Sequence, residues 1–405
     1  MEIVNERVNY KNGETMPEWV AEIPEKLCKL ITEKLMYRGE VFGLFKACEN
    51  SYVEYDIPNS SVNYNILSQF HAIEKLPGYS QSAINGLISF LQGCQQPDTG
   101  LFIDPQLDAR FEKRDDSEQL LLFRHAISKY AIDFLKFLGA EPLYPFSAIS
   151  DNQKPDVQSY LKFLKESDWN KPWGTGSHAG FRTVELFRKV NEGKEEYIPA
   201  LCEGIEIILS KQNPETGMWG SKDIHLAEQL SGALKIIGRL KFQIGMDIPN
   251  MDKLADSIIF HQKNSHFFNT TESILIQRNA IEMAVACLES SDYRKEELIQ
   301  TIKSLIDDMR VYVKDDGSIT ELRDSTRAVY WCGASVAPKS DKPRSTAVGA
   351  MSLIYSIGLA APYLGWNDCP MKNPLDGWRK NLEQYHIVPV VNKNGKVEII
   401  EKQDM

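Results

Sequence analysis

Apolar residues recur with the period of an α-helix along most of the chain, and helix start and stop signals divide this pattern into alternating segments of two kinds. Segments of the first kind are apolar on one side and cover residues 18–48, 80–94, 156–167, 196–212, 251–263 and 295–313. A break of the first segment near Gly39 is an alternative. Segments of the second kind, several of them apolar on most of their surface, cover residues 61–75, 115–138, 177–190, 223–242, 270–288 and 345–361. Because a helix that is apolar on most sides is buried on most sides, the second kind predicts an inner layer and the first kind an outer layer.

A turn sequence that occurs twice indicates how these helices are joined. Residues 89–102 read SFLQGCQQPDTGLF, and residues 207–220 read IILSKQNPETGMWG. In each copy a helix runs into Gln, and a Pro-Asp/Glu-Thr-Gly turn then leads to an aromatic residue, Phe102 or Trp219. Such a recurrence is typical of repeated helical hairpins. Together with the strict alternation of the segments, it predicts an all-α fold, an (α/α)6 barrel or toroid.

The toroid is expected to cover residues 1–374, and residues 375–405 are expected to form a tail. In that tail Asn394-Gly395 stands between two β-branched runs, which predicts a small β-hairpin. Two insertions, residues 103–114 and about 316–344, each precede an inner helix and would enter at the same face. Loops of this length in a compact ring are typical of functional or disordered segments.

Composition narrows the class of protein. A hydrophobic content of 42% and a charged content of 25% are ordinary for a globular chain. A net charge of −10 excludes broad nucleic-acid binding, which needs a basic face. The 7 cysteines are odd in number and lack close pairs, so we expect reduced thiols and neither a disulfide framework nor a metal site. No leader or apolar run of membrane-spanning length is present, so we expect a cytoplasmic protein without a membrane span or a cofactor.

The repeated turn resembles the QW repeat of terpenoid cyclases, whose relatives include the protein prenyltransferase β subunits. The positions that match in the second copy are Ile208, Leu209, Gln212, Gly217 and Trp219. The turn is also similar to that of six-hairpin glycosidases such as the unsaturated rhamnogalacturonyl hydrolases. The segment WGTGSH at residues 173–178 resembles the glycine-rich turns that precede helices in those enzymes. Both resemblances imply the toroid, and neither specifies a reaction.

Departures from these families bear on the chemistry. The chain has no Asp-x-Asp-Asp acid of the protonating terpene cyclases. Asp115-Asp116-Ser117-Glu118 is one residue short of the magnesium-binding motif of ionising terpene synthases. The zinc ligands of the prenyltransferases have no convincing counterpart. The toroid is therefore expected without the motifs of terpenoid chemistry.

The inner helices of such a ring run parallel, so their N-termini open at one mouth. Unpaired N–H groups give each of these ends a partial positive charge, which favours anionic ligands such as uronates, sulfated sugars or phosphates. The candidate catalytic residues near these ends are Asp115, Asp116, His178, His225 and Glu228. The candidate substrate-binding residues are Trp169, Trp173, Arg182, Asp324, Arg327, Tyr330, Trp331 and Arg344.

Each candidate has a functional interpretation and a structural one. Adjacent carboxylates such as Asp115 and Asp116 suit a general acid, but they equally suit a helix cap. Trp169 and Trp173 would offer exposed faces for stacking, with His178 and Arg182 one turn apart on the same side of a helix; the alternative is an ordinary packed loop. His225 and Glu228 could form an acid–base pair or a salt-linked surface. The last insertion carries the aromatic and basic residues Arg327, Tyr330, Trp331 and Arg344, which is typical of a lid or a substrate-binding wall.

Three functions follow as hypotheses. The first is a carbohydrate-active enzyme acting on an anionic oligosaccharide. As a hydrolase it would use Asp116 as the acid; as a lyase it would use His178 or Tyr330 as the base and Arg182 or Arg327 to neutralise the developing charge. The second is a terpenoid-cyclase-like enzyme, which a closed apolar chamber would favour. The third is a binding toroid without catalysis.

Overall fold

The structure is a computed structural model that describes residues 15–112, 115, 117–145, 157–264, 273–326, 329–331 and 334–404. These residues are mostly helical, with two antiparallel two-stranded sheets. In chain order the α-helices are α1 (Glu18–Ala21), α2 (Ile23–Leu30), α3 (Ile57–Gln69), α4 (Gln81–Gly93), α5 (Pro105–Asp108), α6 (Ser117–Phe137), α7 (Val157–Glu166), α8 (Pro172–Asn191), α9 (Ile198–Ser210), α10 (Leu226–Leu240), α11 (Met251–Lys263), α12 (Ile274–Leu288), α13 (Lys295–Met309), α14 (Ala347–Leu364) and α15 (Pro374–Glu383). The strands are β1 (Val329–Trp331), β2 (Ala334–Ala337), β3 (Ile387–Val391) and β4 (Val397–Glu401).

Every helix that the periodicity predicted has a counterpart, but several bounds were wrong. The segment predicted at residues 61–75 is α3, which begins at Ile57 and ends at Gln69. The first segment ends at Leu35, where a π-helical turn closes α2. Residues 36–48 are not helical, and Met36 pairs with Phe45 across a tight turn whose Gly43 has a φ of +77°. The third inner helix begins at Pro172 rather than at residue 177. Proline suits the first position of a helix because it lacks the N–H that would go unpaired there.

Helices of the second kind pack side by side. Helix α3 lies against α6, α8 against α10, α10 against α12, α12 against α14, and α14 against α3. The contact between α8 and α10 is close because it is made by glycine. A Cβ on Gly176 would lie 3.1 Å from Ile236, and a Cβ on Gly232 would lie 2.4 Å from Pro172. Helices of the first kind also pair with one another, α7 with α9 and α11 with α13. The names inner and outer are kept below for helices of the second and the first kind.

The two copies of the repeated turn share one hydrogen-bond pattern. Gln212 Nε2 donates to the carbonyl oxygens of Gly217 and Pro249, both at 2.9 Å. Gln95 Nε2 likewise donates to the carbonyl of Gly100 at 2.9 Å and to a carbonyl in the loop after α6 at 2.8 Å. The glutamine of the repeat therefore connects its own turn to the loop that follows the next inner helix, α6 or α10. This contact accounts for the presence of glutamine in both copies.

The two insertions, which were predicted to enter at the same face, contact each other. Arg110 Nε, just after α5, donates to the carbonyl of Ser335 in β2 at 2.8 Å. The second insertion also touches the starts of two inner helices. The N–H of Ile274 donates to the carbonyl of Glu321 at 3.0 Å, and the N–H of Thr346, the N-cap of α14, donates to the carbonyl of Ile319 at 3.1 Å. The N-termini of α12 and α14 therefore lie together beside this insertion.

The tail contains the predicted hairpin. Strands β3 and β4 pair antiparallel with Val391 opposite Val397, and Gly395 in the turn has a φ of +74°. Glu206 on α9 anchors the hairpin, because its Oε1 accepts the Val397 N–H at 3.0 Å and its Oε2 lies 2.9 Å from Lys396 Nζ. Helix α15 precedes the hairpin and was not predicted.

Helix α14 is long and apolar enough to cross a membrane by length and composition alone. Most of it is buried between α3, α12 and α13, as is usual for the core helix of a globular protein. Its 18 residues include Gly349 and Gly358, both packed against backbone of neighbouring segments. The helix is therefore part of the core.

Candidate functional site

The N-terminal ends of α8 and α10 border an open cleft of about 570 Å³. The residues that line it are Asn170, Lys171, Trp173, Gly174, Ser177, His178 and Glu228. Three of the predicted site residues, Trp173, His178 and Glu228, are thus brought together in one place. Two come from α8 and one from α10, so the cleft depends on the close packing of these two helices.

Glu228 is fixed by a contact between the two helices. Its Oε1 accepts a hydrogen bond from the backbone N–H of Trp173, the second residue of α8, at 3.0 Å. That N–H belongs to the first turn of α8 and has no partner within its own helix. Glu228 is therefore positioned as a hydrogen-bond acceptor at the edge of the cleft.

Trp173 is half exposed at 49% and offers its ring to the cleft. Gly174 beside it has no atom within 4 Å of the place where a Cβ would stand, so the cleft remains open there. Residues 172–178 are helical, and the predicted glycine-rich turn was wrong. Gly176 serves the packing of α8 on α10 instead of the approach of a ligand.

His178 and Arg182 lie on the same side of α8, as their spacing predicted. Both contact Phe163 of α7: the imidazole ring meets it edge-on at 6.1 Å, and the guanidinium carbon stands 5.1 Å from its centroid. His178 is exposed and lines the cleft, whereas Arg182 is half-buried and does not line it. Phe163 therefore orients the one imidazole of the cleft.

Trp169 does not have the exposed face that was expected. It is 9% exposed, and its Nε1 donates to the carbonyl of Leu164 at 3.0 Å. Trp219 makes the equivalent bond to the carbonyl of Ile208 at 2.8 Å and is fully buried. Both indoles therefore close the C-terminal ends of outer helices, and a stacking role for Trp169 is excluded by its burial.

His225 caps α10. Its Nδ1 accepts the N–H of Ala227 at 3.2 Å. The side chain does not line the cleft that Glu228 borders. The acid–base role that its spacing suggested stays a prediction, and capping is the role that the geometry supports.

The remaining candidates lie away from this cleft or outside the described residues. Asp115 and Asp324 are exposed, and neither lines the cleft. Arg344 is held within the second insertion, where its N–H donates to Thr326 Oγ1 at 2.8 Å. Residues that lie outside the described part of the chain, wholly or in their side chains, are Asp116, Arg327, Tyr330 and Trp331.

Sequence reasoning missed a buried carboxyl pair. Asp56 and Asp104 are 0% and 1% exposed and cap α3 and α5. Burial, and then the neighbouring Asp104, raises the pKa of Asp56 to about 8. Asp104 Oδ2 accepts the N–H of Ile57 at 2.6 Å, and Asp56 Oδ1 accepts that of Asn59 at 2.7 Å. Their oxygens are used by backbone donors, so the pair fixes the start of α3.

A second missed feature is a group of cations on the inner helices. Its members are Lys129, Arg188, Lys235, Arg239 and Arg278. The available signal was a cationic residue inside an otherwise apolar helix, as in AEQLSGALKIIGRL of α10. In the part of the chain that the structure describes, no three His, Cys, Asp or Glu side chains are grouped so as to hold a metal ion.

Comparisons of the chain with models of known protein families, with curated proteins and with solved structures find no match.

Proposed function

We propose that the inner helices close into an (α/α)6 toroid. The contacts that run from α8 through α10, α12 and α14 to α3 and α6 support this arrangement. Lys129 on α6 lies within electrostatic range of Arg188 on α8, which supports the proximity of the two remaining neighbours. The joint position of the starts of α12 and α14, and of those of α8 and α10, supports a common mouth.

On this scaffold we propose a carbohydrate-active enzyme that binds an acidic oligosaccharide in the cleft between α8 and α10. The observation that carries the proposal is that an exposed Trp173, His178 and Glu228 share one open cleft with Lys171. An exposed indole suits stacking on a sugar ring, and a lysine suits the carboxylate of a uronate. The terpenoid alternative requires a closed apolar chamber, and an open cleft with these polar walls argues against it.

Elimination fits the lining better than hydrolysis does. Glycoside hydrolysis commonly uses two carboxylic acids, and Glu228 is the one carboxylate among the described residues of the lining. In the proposed elimination, the His178 imidazole takes the proton α to the uronate carboxylate, and Lys171 stabilises the charge that develops on that carboxylate. The electron pair forms the new carbon–carbon double bond, the bond to the leaving oxygen breaks, and that oxygen takes a proton from the imidazolium.

The test is to incubate the full chain with uronate-containing oligosaccharides and to record ultraviolet absorbance and product masses. Elimination gives an unsaturated product that absorbs in the ultraviolet, and the two product masses add up to that of the substrate. Hydrolysis gives products that together weigh one water more. We expect His178→Ala to lower kcat by a factor of about 10² or more, as for loss of a general base.

Trp173→Ala should raise KM more than it lowers kcat, because stacking is an interaction of binding. Phe260→Ala is the matched control, since Phe260 is also an exposed aromatic residue but lies on the outer helix α11. Activity that survives all cleft variants would place the reaction elsewhere. Binding without any cleavage would support the binding toroid instead.

A further inference from the structure

Four cationic side chains on three of the inner helices lie within electrostatic range of one another. They are Lys129 on α6, Arg188 on α8, and Lys235 and Arg239 on α10. None of their side chains makes a hydrogen bond or a salt bridge with a described residue. Like charges that are grouped in this way repel one another, so the grouping requires an explanation.

The position of Arg239 is set by the backbone of α8. A Cβ on Gly180 would lie 2.7 Å from Arg239 Cγ and 3.0 Å from the carbonyl oxygen of Lys235. The arginine stem therefore passes over Gly180, which has no side chain to obstruct it. Lys235 and Arg239 are one helical turn apart, so their charged ends leave the same face of α10.

The fifth cation of the group, Arg278 on α12, is already compensated. Its guanidinium carbon lies 4.3 Å from the centroid of the Tyr355 ring, and its Nη2 is 3.8 Å from Glu282 Oε2. Glu282 is 4% exposed and reaches the group beside Gly238, where a Cβ would stand 3.8 Å from its Oε1. This pair forms one side of the group, and the other four cations make no salt bridge with a described residue.

The electrostatics of these side chains agree with an excess of positive charge. Desolvation, and then the charge of Arg239, lowers the pKa of Lys129. Desolvation, followed by Arg239 and Arg278, lowers the pKa of Lys235. Desolvation and the charge of Arg188 likewise lower the pKa of Arg239. Lys129 and Arg188 are nevertheless exposed to solvent, so the group borders water-accessible space.

Carboxylates near the group of cations do not neutralise its positive charge. Asp133 on α6 lies within electrostatic range of Lys129, and Glu185 on α8 lies within that of Arg188. With Glu282, the described carboxylates near the group are fewer than its five cations. The protein as a whole carries a net charge of −10, so this excess of positive charge is local. An anionic ligand would offset it.

We propose that Lys129, Arg188, Lys235 and Arg239 form a binding site for a tetrahedral dianion, a phosphate or sulfate group. Two arginines offer forked donors that match the oxygens of such a group, and two lysines add point charges. The site is separate from the cleft: Lys235 follows Glu228 by seven residues, which places it about 10 Å further along α10 on the same face. A phosphorylated or sulfated ligand of that length would reach from this site to the cleft.

The experiment measures binding and not turnover, so it is independent of the proposed cleavage. The full chain is titrated with inorganic phosphate, with sulfate and with acetate at constant ionic strength, by calorimetry and by thermal unfolding. We expect phosphate and sulfate to bind and to raise the Tm, and acetate to have little effect. Arg239→Gln and Lys235→Gln should each weaken phosphate binding about tenfold or more, corresponding to the loss of one charge-assisted hydrogen bond of about 1.5–3 kcal/mol.

Thermal unfolding without added anion separates a binding role from a structural one. Removing one of several unpaired like charges should raise the Tm of the anion-free protein, whereas loss of a structural residue would lower it. Lys129→Gln provides a second variant whose exposed side chain leaves the packing intact, and exposed Arg310→Gln is the control. Phosphate affinity that is equal in the wild type and all three cluster variants would overturn the proposal, as would the absence of binding. Preference for acetate over phosphate would overturn the dianion assignment.

Discussion

The Glu228 side chain of α10 accepts the backbone N–H of Trp173 in α8 at 3.0 Å. A carboxylate of one inner helix thus caps the first turn of its neighbour. This hydrogen bond joins the two helix ends that border the cleft, although its partners are 55 residues apart in the chain. Glu228 therefore stabilises the fold whether or not it takes part in a reaction. Substitutions of Glu228 can separate the structural role from a catalytic one.

Glu228→Gln keeps an oxygen that can accept from Trp173, and Glu228→Ala removes it. We expect Glu228→Ala to lower the free energy of unfolding by about 1 kcal/mol, as for loss of a helix cap, and Glu228→Gln to lower it by less. Urea denaturation followed by circular dichroism measures both. Equal stability of the alanine variant and the wild type would contradict the capping role.

The glutamine of the repeated turn makes a second prediction. Gln212→Ala leaves the carbonyls of Gly217 and Pro249 without their side-chain donor, and each unsatisfied group of this kind costs about 1–3 kcal/mol when buried. We expect a loss of about 2 kcal/mol or more in the free energy of unfolding. Exposed Gln81→Ala is the control and should change stability by less than about 0.5 kcal/mol. A Gln95→Ala variant should lose about as much stability as Gln212→Ala. A loss in the free energy of unfolding as small as that of the Gln81→Ala control would refute the shared role.

Glycine in the same turn provides a matched pair of variants. Gly217 has a φ of +69°, and a Cβ there would lie 2.5 Å from the backbone nitrogen of Leu254. Gly395 in the tail hairpin has a φ of +74° with open space around it. Gly395→Ala should lower the free energy of unfolding by about 1–2 kcal/mol, because alanine is strained in the left-handed backbone conformation. Gly217→Ala should lower it clearly more, because α11 must also move. Thermal unfolding compares the two variants directly.

The sequence predicted what depends on periodicity and local turn chemistry. The alternating helices, the turn around Gln212 and the hairpin at Asn394-Gly395 all follow from residues close together in the chain. What it missed depends on packing between distant segments. Pro172 starts α8 early because Gly232 of α10 leaves room for it. The unpaired state of Arg239 was missed because it depends on which distant residues the fold places around its side chain.

The candidate site shows the same division. His178 and Trp173 were identified from residue type and position near a helix start, and they do border one cleft. Trp169 has the same residue type, four residues before Trp173, yet it is buried. Residue type alone does not distinguish an indole that closes an outer helix from one that faces solvent. Only the start of α8 at Pro172 separates the two, and that start is fixed by tertiary packing.

Buried Asp56 gives a prediction for the dependence of stability on pH. Its pKa is raised from 3.8 to about 8 in the folded protein, first by burial and then by Asp104. Between these two pH values the unfolded chain releases the proton and the folded protein keeps it, so the folded state binds more protons. The free energy of unfolding therefore falls as the pH rises from about 4 to about 8, by at most about 1.4 kcal/mol per pH unit from this group.

Asp56→Asn removes that dependence while it keeps an oxygen to accept the Asn59 N–H. We expect the variant to gain stability relative to the wild type as the pH is raised through this window, and the gain to level off above about 8. Urea denaturation at a series of pH values measures the difference. Glu49→Gln, an exposed carboxylate before α3, is the control and should follow the wild type. If the difference between Asp56→Asn and the wild type is constant from pH 4 to pH 8, Asp56 is ionised throughout, and its three hydrogen bonds from Asn59 outweigh its burial.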